Sequence, residues 1–75
     1  GMHDRYFESK PEVMGGKLCF RGTRVPVATV LEVIDAGWDD GRILDEYPGL
    51  EAGAVAHVRT LATDPAGGWV RSRVA

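Results

Sequence analysis

Arg21 and Arg24 stand either side of Gly22-Thr23, and their type and spacing are the chain's best equipment for chemistry with another molecule. A guanidinium presents a rigid fork of donors that matches a carboxylate or a phosphate with two parallel hydrogen bonds. It cannot shuttle protons, so the pair points to binding and away from acid–base catalysis. The competing use is internal: an arginine reaching the acidic surface of Asp35, Asp39 or Asp45. One of the two is expected to be spent that way, and the sequence does not say which. Gly22, Thr23 and Trp69 join the two arginines as candidate partner-binding residues.

A second group of candidates is His57, Arg59 and Thr60, which fall on the outward side of a helical stretch beside Glu51, Ala56 and Thr63. These are the side chains there that could read base edges or grip phosphate. The charge pattern argues against strong phosphate binding. The formal net charge is −2; the first third of the chain is basic, the helical middle is acidic, and Arg71 and Arg73 make the end basic again. An acidic body is poor equipment for holding a polyanion.

Other chemistries find little. Cys19 is the lone cysteine, which excludes an internal disulfide, and nothing beside it would lower its pKa. His3 and His57 are far apart, and Asp39-Asp40 is accounted for by a helix start, so no metal or cofactor is expected. Gly15-Gly16-Lys17 lacks the spacing of a phosphate loop, and no nucleophile–base pair is visible. The expectation is a binding protein and not an enzyme.

The elements that carry these residues follow from glycine, proline and apolar spacing. Gly15-Gly16 marks a turn, and Leu18-Cys19-Phe20 reads as a strand that pairs across it with Val13-Met14. Tyr6-Phe7 starts an earlier strand that exits at Lys10-Pro11-Glu12. The free edges of so small a ribbon invite strand addition by another chain. Gly22 bends the chain again, and Pro26 suits a helix entrance.

The first helix, Val27–Ala36, has Val27, Val30, Leu31 and Ile34 on one face and stops at Gly37. A second, Asp40–Tyr47, follows the cap Asp39, buries Ile43, Leu44 and Tyr47, and ends at Pro48-Gly49. A third, from about Glu51 to Thr63, buries Val55, Val58 and Ala62, with Leu50 as a staple ahead of it. Two helices across a Pro-Gly turn, braced by a third, make a helix-turn-helix. The expected fold is mainly α: a short N-terminal β-hairpin followed by three helices.

One domain, residues 6–64, is expected. Residues 1–5 are set aside as a flexible start whose Gly1-Met2 reads as a scar of tag removal, and residues 65–75 as a flexible tail in which Trp69 is the anchor. No apolar run approaches the length of a membrane span, so a cytoplasmic setting is expected. A core this small supplies only about 3–5 kcal/mol, which makes a homodimer or another protein partner the expected source of further stability.

The string Gly15–Val27, Gly-Gly-Lys-Leu-Cys-Phe-Arg-Gly-Thr-Arg-Val-Pro-Val, resembles the signature of a bacterial and archaeal family catalogued as domain of unknown function 433. Ile43-Leu44-Asp45-Glu46-Tyr47-Pro48-Gly49-Leu50 fits the same pattern, and the resemblance covers about Tyr6 to Ala62. It implies a homeodomain-like helix-turn-helix and the role of an antitoxin that neutralises a PIN-like nuclease toxin. In that role Arg21 or Arg24 would enter the nuclease's carboxylate cluster. A dimer would autoregulate by binding operator DNA. The alternative is a small dimeric interaction module without DNA binding. Two positions depart from the family pattern. Leu18 stands where proline is frequent, and Glu51 stands where a Ser or Thr cap is usual, with Gly53 in the following turn.

Overall fold

The computed structural model describes residues 5–63. Two short strands, β1 (Phe7–Glu8) and β2 (Cys19–Phe20), are followed by three helices: α1 (Val27–Asp35), α2 (Asp40–Glu46) and α3 (Ala52–Thr63). The architecture is mainly α with a small antiparallel ribbon at its N-terminal side.

Each helix starts and stops for a local reason. At α1 the backbone of Pro26 is extended, with φ −67° and ψ 142°, and its carbonyl accepts from the Thr29 N–H at 3.1 Å. At the other end Gly37 takes φ +92°, and its N–H reaches the Ile34 carbonyl while that of Trp38 reaches Val33, both at 3.0 Å. These are the two bonds of a Schellman ending, in which a residue without a Cβ takes the left-handed position. Asp39 caps α2 by accepting from the Arg42 N–H at 2.8 Å. The chain then turns through Pro48-Gly49, closed by the Leu50 N–H on the Tyr47 carbonyl at 3.0 Å.

Helix α3 packs against both α1 and α2. Val27, Val30, Ile43, Val55 and Val58 are fully buried, and Leu31, Leu50 and Ala54 nearly so. Phe7 and Phe20 complete the core from the ribbon, edge to face with centroids 5.5 Å apart. Each such aliphatic or phenyl side chain contributes about 1.5–3 kcal/mol by leaving water. Among the described residues Met14 is the exposed large hydrophobic. The uncovered apolar face that a chain needing a partner would show is therefore not found in this part of the molecule.

The ribbon is paired differently from expectation. Phe7 lies opposite Phe20 and Glu8 opposite Cys19, whereas Val13-Met14 pairs with nothing in the sheet. Met14–Gly16 instead forms a tight 3-10 turn in which Met14, Gly15 and Gly16 take φ of +52°, +66° and +84°. Burial decides between the two registers. Pairing through Phe7 puts its ring into the core at 2% exposure, while Val13-Met14 would bring only a half-buried valine and an exposed methionine.

Neither ribbon edge is as open as expected. The far side of β2 is covered by its own chain, with the Phe20 N–H on Val25 and the Val27 N–H on Leu18. The Arg21 side chain donates to the Phe7 carbonyl of β1 at 2.8 Å and to the Arg5 carbonyl just ahead of it at 3.2 Å. In an antiparallel pair successive carbonyls alternate sides, and the Tyr6 carbonyl is the one that accepts the Arg21 N–H across the ladder. Arg21 thus occupies acceptors that an added strand would need.

Candidate partner-binding site

The bend between β2 and α1 is built from its own sequence. The Thr23 N–H donates to the Phe20 carbonyl at 3.0 Å, closing a four-residue turn. Gly22 sits third in that turn at φ +77°, a left-handed position where any Cβ costs energy. The Thr23 hydroxyl donates to the Phe20 carbonyl at 2.8 Å and accepts from the Val25 N–H at 3.0 Å, so it staples both sides of the bend. These bonds make the bend a rigid mount.

Glu8 holds the bend from β1. Its carboxylate accepts from the Gly22 N–H at 2.9 Å and from the Arg21 guanidinium at 3.2 Å, with Lys10 3.8 Å away. The Gly22 N–H, and after it the Lys10 and Arg21 charges, hold this carboxyl below its ordinary value of 4.5. Of the two arginines, Arg21 is the one used internally. Its partners include Glu8 and two backbone carbonyls. Sequence reasoning missed Glu8 because an ion pair thirteen residues apart leaves no local pattern.

Arg24 is different. It is exposed, and no hydrogen bond or ion pair ties it to another described residue. In the Arg21-Gly22-Thr23-Arg24 string, three residues are accounted for by the bend itself and the fourth faces solvent.

The residues expected to face DNA on α3 are arranged otherwise. His57 was placed outward from the sequence; it is half-buried, with its ring 5.1 Å from Tyr6 and 5.4 Å from Phe7. Arg59 donates to Asp40 at 2.7 Å and to the Trp38 carbonyl at 2.8 Å, tying α3 to the start of α2. Thr60 is exposed and turns its hydroxyl back onto the Ala56 carbonyl at 3.0 Å. The three side chains do not converge on a common outward surface. Trp69 lies outside the described residues.

Two further residues mattered more than the sequence indicated. An ideal Cβ on Gly53 would lie 2.8 Å from the Tyr6 hydroxyl, closer than real Cβ contacts come. A glycine that looked like a weak helix start is therefore the seat of the first ribbon residue. Cys19 is buried at 2% exposure, and burial, with the Glu8 charge behind it, pushes its thiol up and keeps it protonated. That removes it as a nucleophile.

Comparison with known proteins gives a consistent family. The structure is similar to the crystal structure of a DUF433 member protein from Anabaena variabilis, with a TM-score of 0.69 and 26% identity over 92% of this chain and 67% of that one. The sequence is 43% identical over 44 residues to the uncharacterized protein y4eO of Sinorhizobium fredii; the match takes in 59% of this chain and 20% of that protein. The chain thus spans about a fifth of that curated relative. The model of the family described as protein of unknown function (DUF433) matches residues 8–61, which runs from Glu8 through the bend, α1 and α2 and into α3 as far as Leu61, and the chain belongs to that family.

Proposed function

We propose that this chain is a protein-docking module acting as the antitoxin of a toxin–antitoxin pair, with Arg24 as the group it inserts into a PIN-like nuclease. The observation that supports this reading is the asymmetry of the bend. Arg21 braces the bend, Gly22 and Thr23 shape it, and Arg24 is held out on a rigid mount without a partner among the described residues. A guanidinium so presented suits a cluster of carboxylates, the arrangement by which such nucleases hold their metal, and would supply positive charge in the metal's place. A mount fixed before binding also reduces the ordering cost of association.

DNA binding has less support. The fold offers a helix pair of the right kind, but Arg59 and His57 are engaged inside the domain and Thr60 bonds its own helix. Operator binding and a homodimer belong to a secondary reading, tested by gel shift at low salt and by sedimentation.

The deciding experiment looks for a PIN-like reading frame beside the gene and, with its product, measures inhibition of nuclease activity by the chain; the absence of such a neighbour counts against the reading. Arg24→Ala is expected to weaken inhibition about tenfold or more, the loss of one or more charge-assisted hydrogen bonds, with an unchanged melting curve. Full inhibition by Arg24→Ala overturns the reading.

A further inference from the structure

Residues 9–17 join β1 to β2 and are held in place by their own bonds. The Val13 N–H donates to the Lys10 carbonyl at 3.0 Å, that of Gly16 to Val13 at 3.0 Å and that of Lys17 to Met14 at 3.3 Å. The Ser9 hydroxyl donates to the Gly16 carbonyl. None of these side chains is buried, and among the described residues no hydrogen bond or ion pair links the segment to a helix. Its turn passes through three successive left-handed residues, Met14, Gly15 and Gly16, and Met14 is the non-glycine with positive φ among the described residues. A Cβ in that region crowds the following carbonyl oxygen, so the closed turn carries strain that a straightened one lacks. The contacts that seat the arm ahead of the segment all lie beyond it. Phe7 packs against Phe20, Tyr6 lies at Gly53, the Tyr6 carbonyl accepts from the Arg21 N–H, and Glu8 accepts from the Gly22 N–H.

We propose that residues 9–17 are a hinge and that the arm ahead of them exchanges between two copies of this chain. Straightened, a segment of that length reaches about 30 Å. The longest dimension of the domain is 30 Å, so the arm can reach β2 of a neighbouring copy. Its contacts then re-form with the other chain. The exchange needs no free strand edge, which the ribbon lacks: one Phe7–Glu8 leaves β2 and an identical one takes its place. Relief of the strained turn favours the exchanged form. The hinge's own turn bonds, which water can replace, and the loss of freedom on association favour the monomer. The balance therefore depends on concentration. In the exchanged dimer the Glu8 that accepts from each Gly22 N–H belongs to the other copy, so each Arg24 stands on a mount completed across two chains. The inference does not depend on what Arg24 contacts, and the nuclease assay does not bear on it.

The test refolds the 75-residue chain at millimolar concentration, equilibrates it on dilution and follows it by sedimentation velocity, where a monomer–dimer equilibrium is expected. Met14→Gly removes the strain from the closed turn. It should raise the dimer Kd by about tenfold for each hinge, hence about a hundredfold for the pair in a dimer. Gly15→Val does the reverse. Its Cβ meets nothing within 4 Å, so it burdens only the closed backbone and should lower the Kd by a similar factor. Extra glycines inserted after Gly16 slacken the hinge and should favour the monomer. In a dimer refolded from equal parts of isotope-labelled and unlabelled chain, isotope-filtered NOEs between the Phe7 and Phe20 rings are expected to cross from copy to copy. A monomer at millimolar concentration in both the parent and Gly15→Val overturns the proposal. So does a dimer in which those NOEs stay within one chain, or whose Kd is the same in Met14→Gly as in the parent.

Discussion

The bend after β2 and the helix pair α2–α3 use arginine in opposite ways. In the helix pair, Arg59 is drawn inward, bridging Asp40 and the Trp38 carbonyl, and Arg42 lies flat over Trp38 at 3.8 Å. Arg59 joins α3 to the start of α2 and the link before it, and Arg42 holds that link against α2. In the bend, Arg21 does comparable work on β1, yet Arg24, three positions on, is exposed and makes no hydrogen bond or ion pair to another described residue. Helices supply apolar stripes and can absorb a cation at their seams. A six-residue bend has no core of its own and is held by backbone bonds, so a side chain can be displayed there without weakening the fold. Under the proposed reading, recognition falls to the loop and stability to the helices.

That contrast can be broken at Gly22 first. Gly22→Val should destabilise by about 1–3 kcal/mol, read by denaturant unfolding, because a β-branched residue is forced to positive φ. A Cβ there meets nothing within 4 Å, so the cost is conformational and should appear with no change in core packing. A loss near zero would mean that the bend is not a rigid mount.

A smaller effect is expected at the helix seam. Arg59→Ala should cost about 1 kcal/mol, since the Arg59 and Asp40 side chains are 35% and 45% exposed and solvent screens the pair. Arg59→Lys should not restore it, because an ammonium cannot span Asp40 and the Trp38 carbonyl as a guanidinium does. Equal loss of nuclease inhibition in Arg59→Ala and Arg24→Ala would erase the distinction between the two regions.

The smallest effect is with pH. Glu8 has a folded pKa below 4.5, so its contribution is fully present above that value and is lost as pH falls through the folded pKa. Amide protection at Gly22 and Thr23, taken relative to the intrinsic exchange rate at each pH, should therefore fall on acidification before protection in α3 does, and Glu8→Gln should flatten that dependence. Simultaneous exchange throughout would place Glu8 in the global fold and not in the bend.

The helices were legible because their signals are local. Gly37, Asp39 and Pro48-Gly49 each set a boundary within a residue or two, and apolar spacing named the buried faces. The ribbon's two strands were legible but their pairing was not, since Gly-Gly suggests a hairpin turn wherever it stands. Only the long-range demand to bury Phe7 against Phe20 selects the observed register. The bend was half legible: its glycine and arginines stood out, but dividing their work required Glu8, whose role depends on the fold. On α3 the outward placement holds for Ala56, Thr60 and Thr63, which are exposed, and fails for His57 and Arg59 for a similar reason. His57 and Arg59 flank the buried stripe, and whether a flanking residue turns in or out depends on a neighbouring aromatic or acid from another element.

Tyr6 lies against the first turn of α3, where Gly53 leaves room for its hydroxyl. The opening of the described chain is thus keyed to its last helix, a closure across most of the sequence. Such contacts carry the largest loop-closure entropy and form late in folding. During synthesis the Tyr6 contact waits for α3 to emerge, whereas the bonds that shape the arginine mount all lie between Arg5 and Val27 and need no helix beyond them.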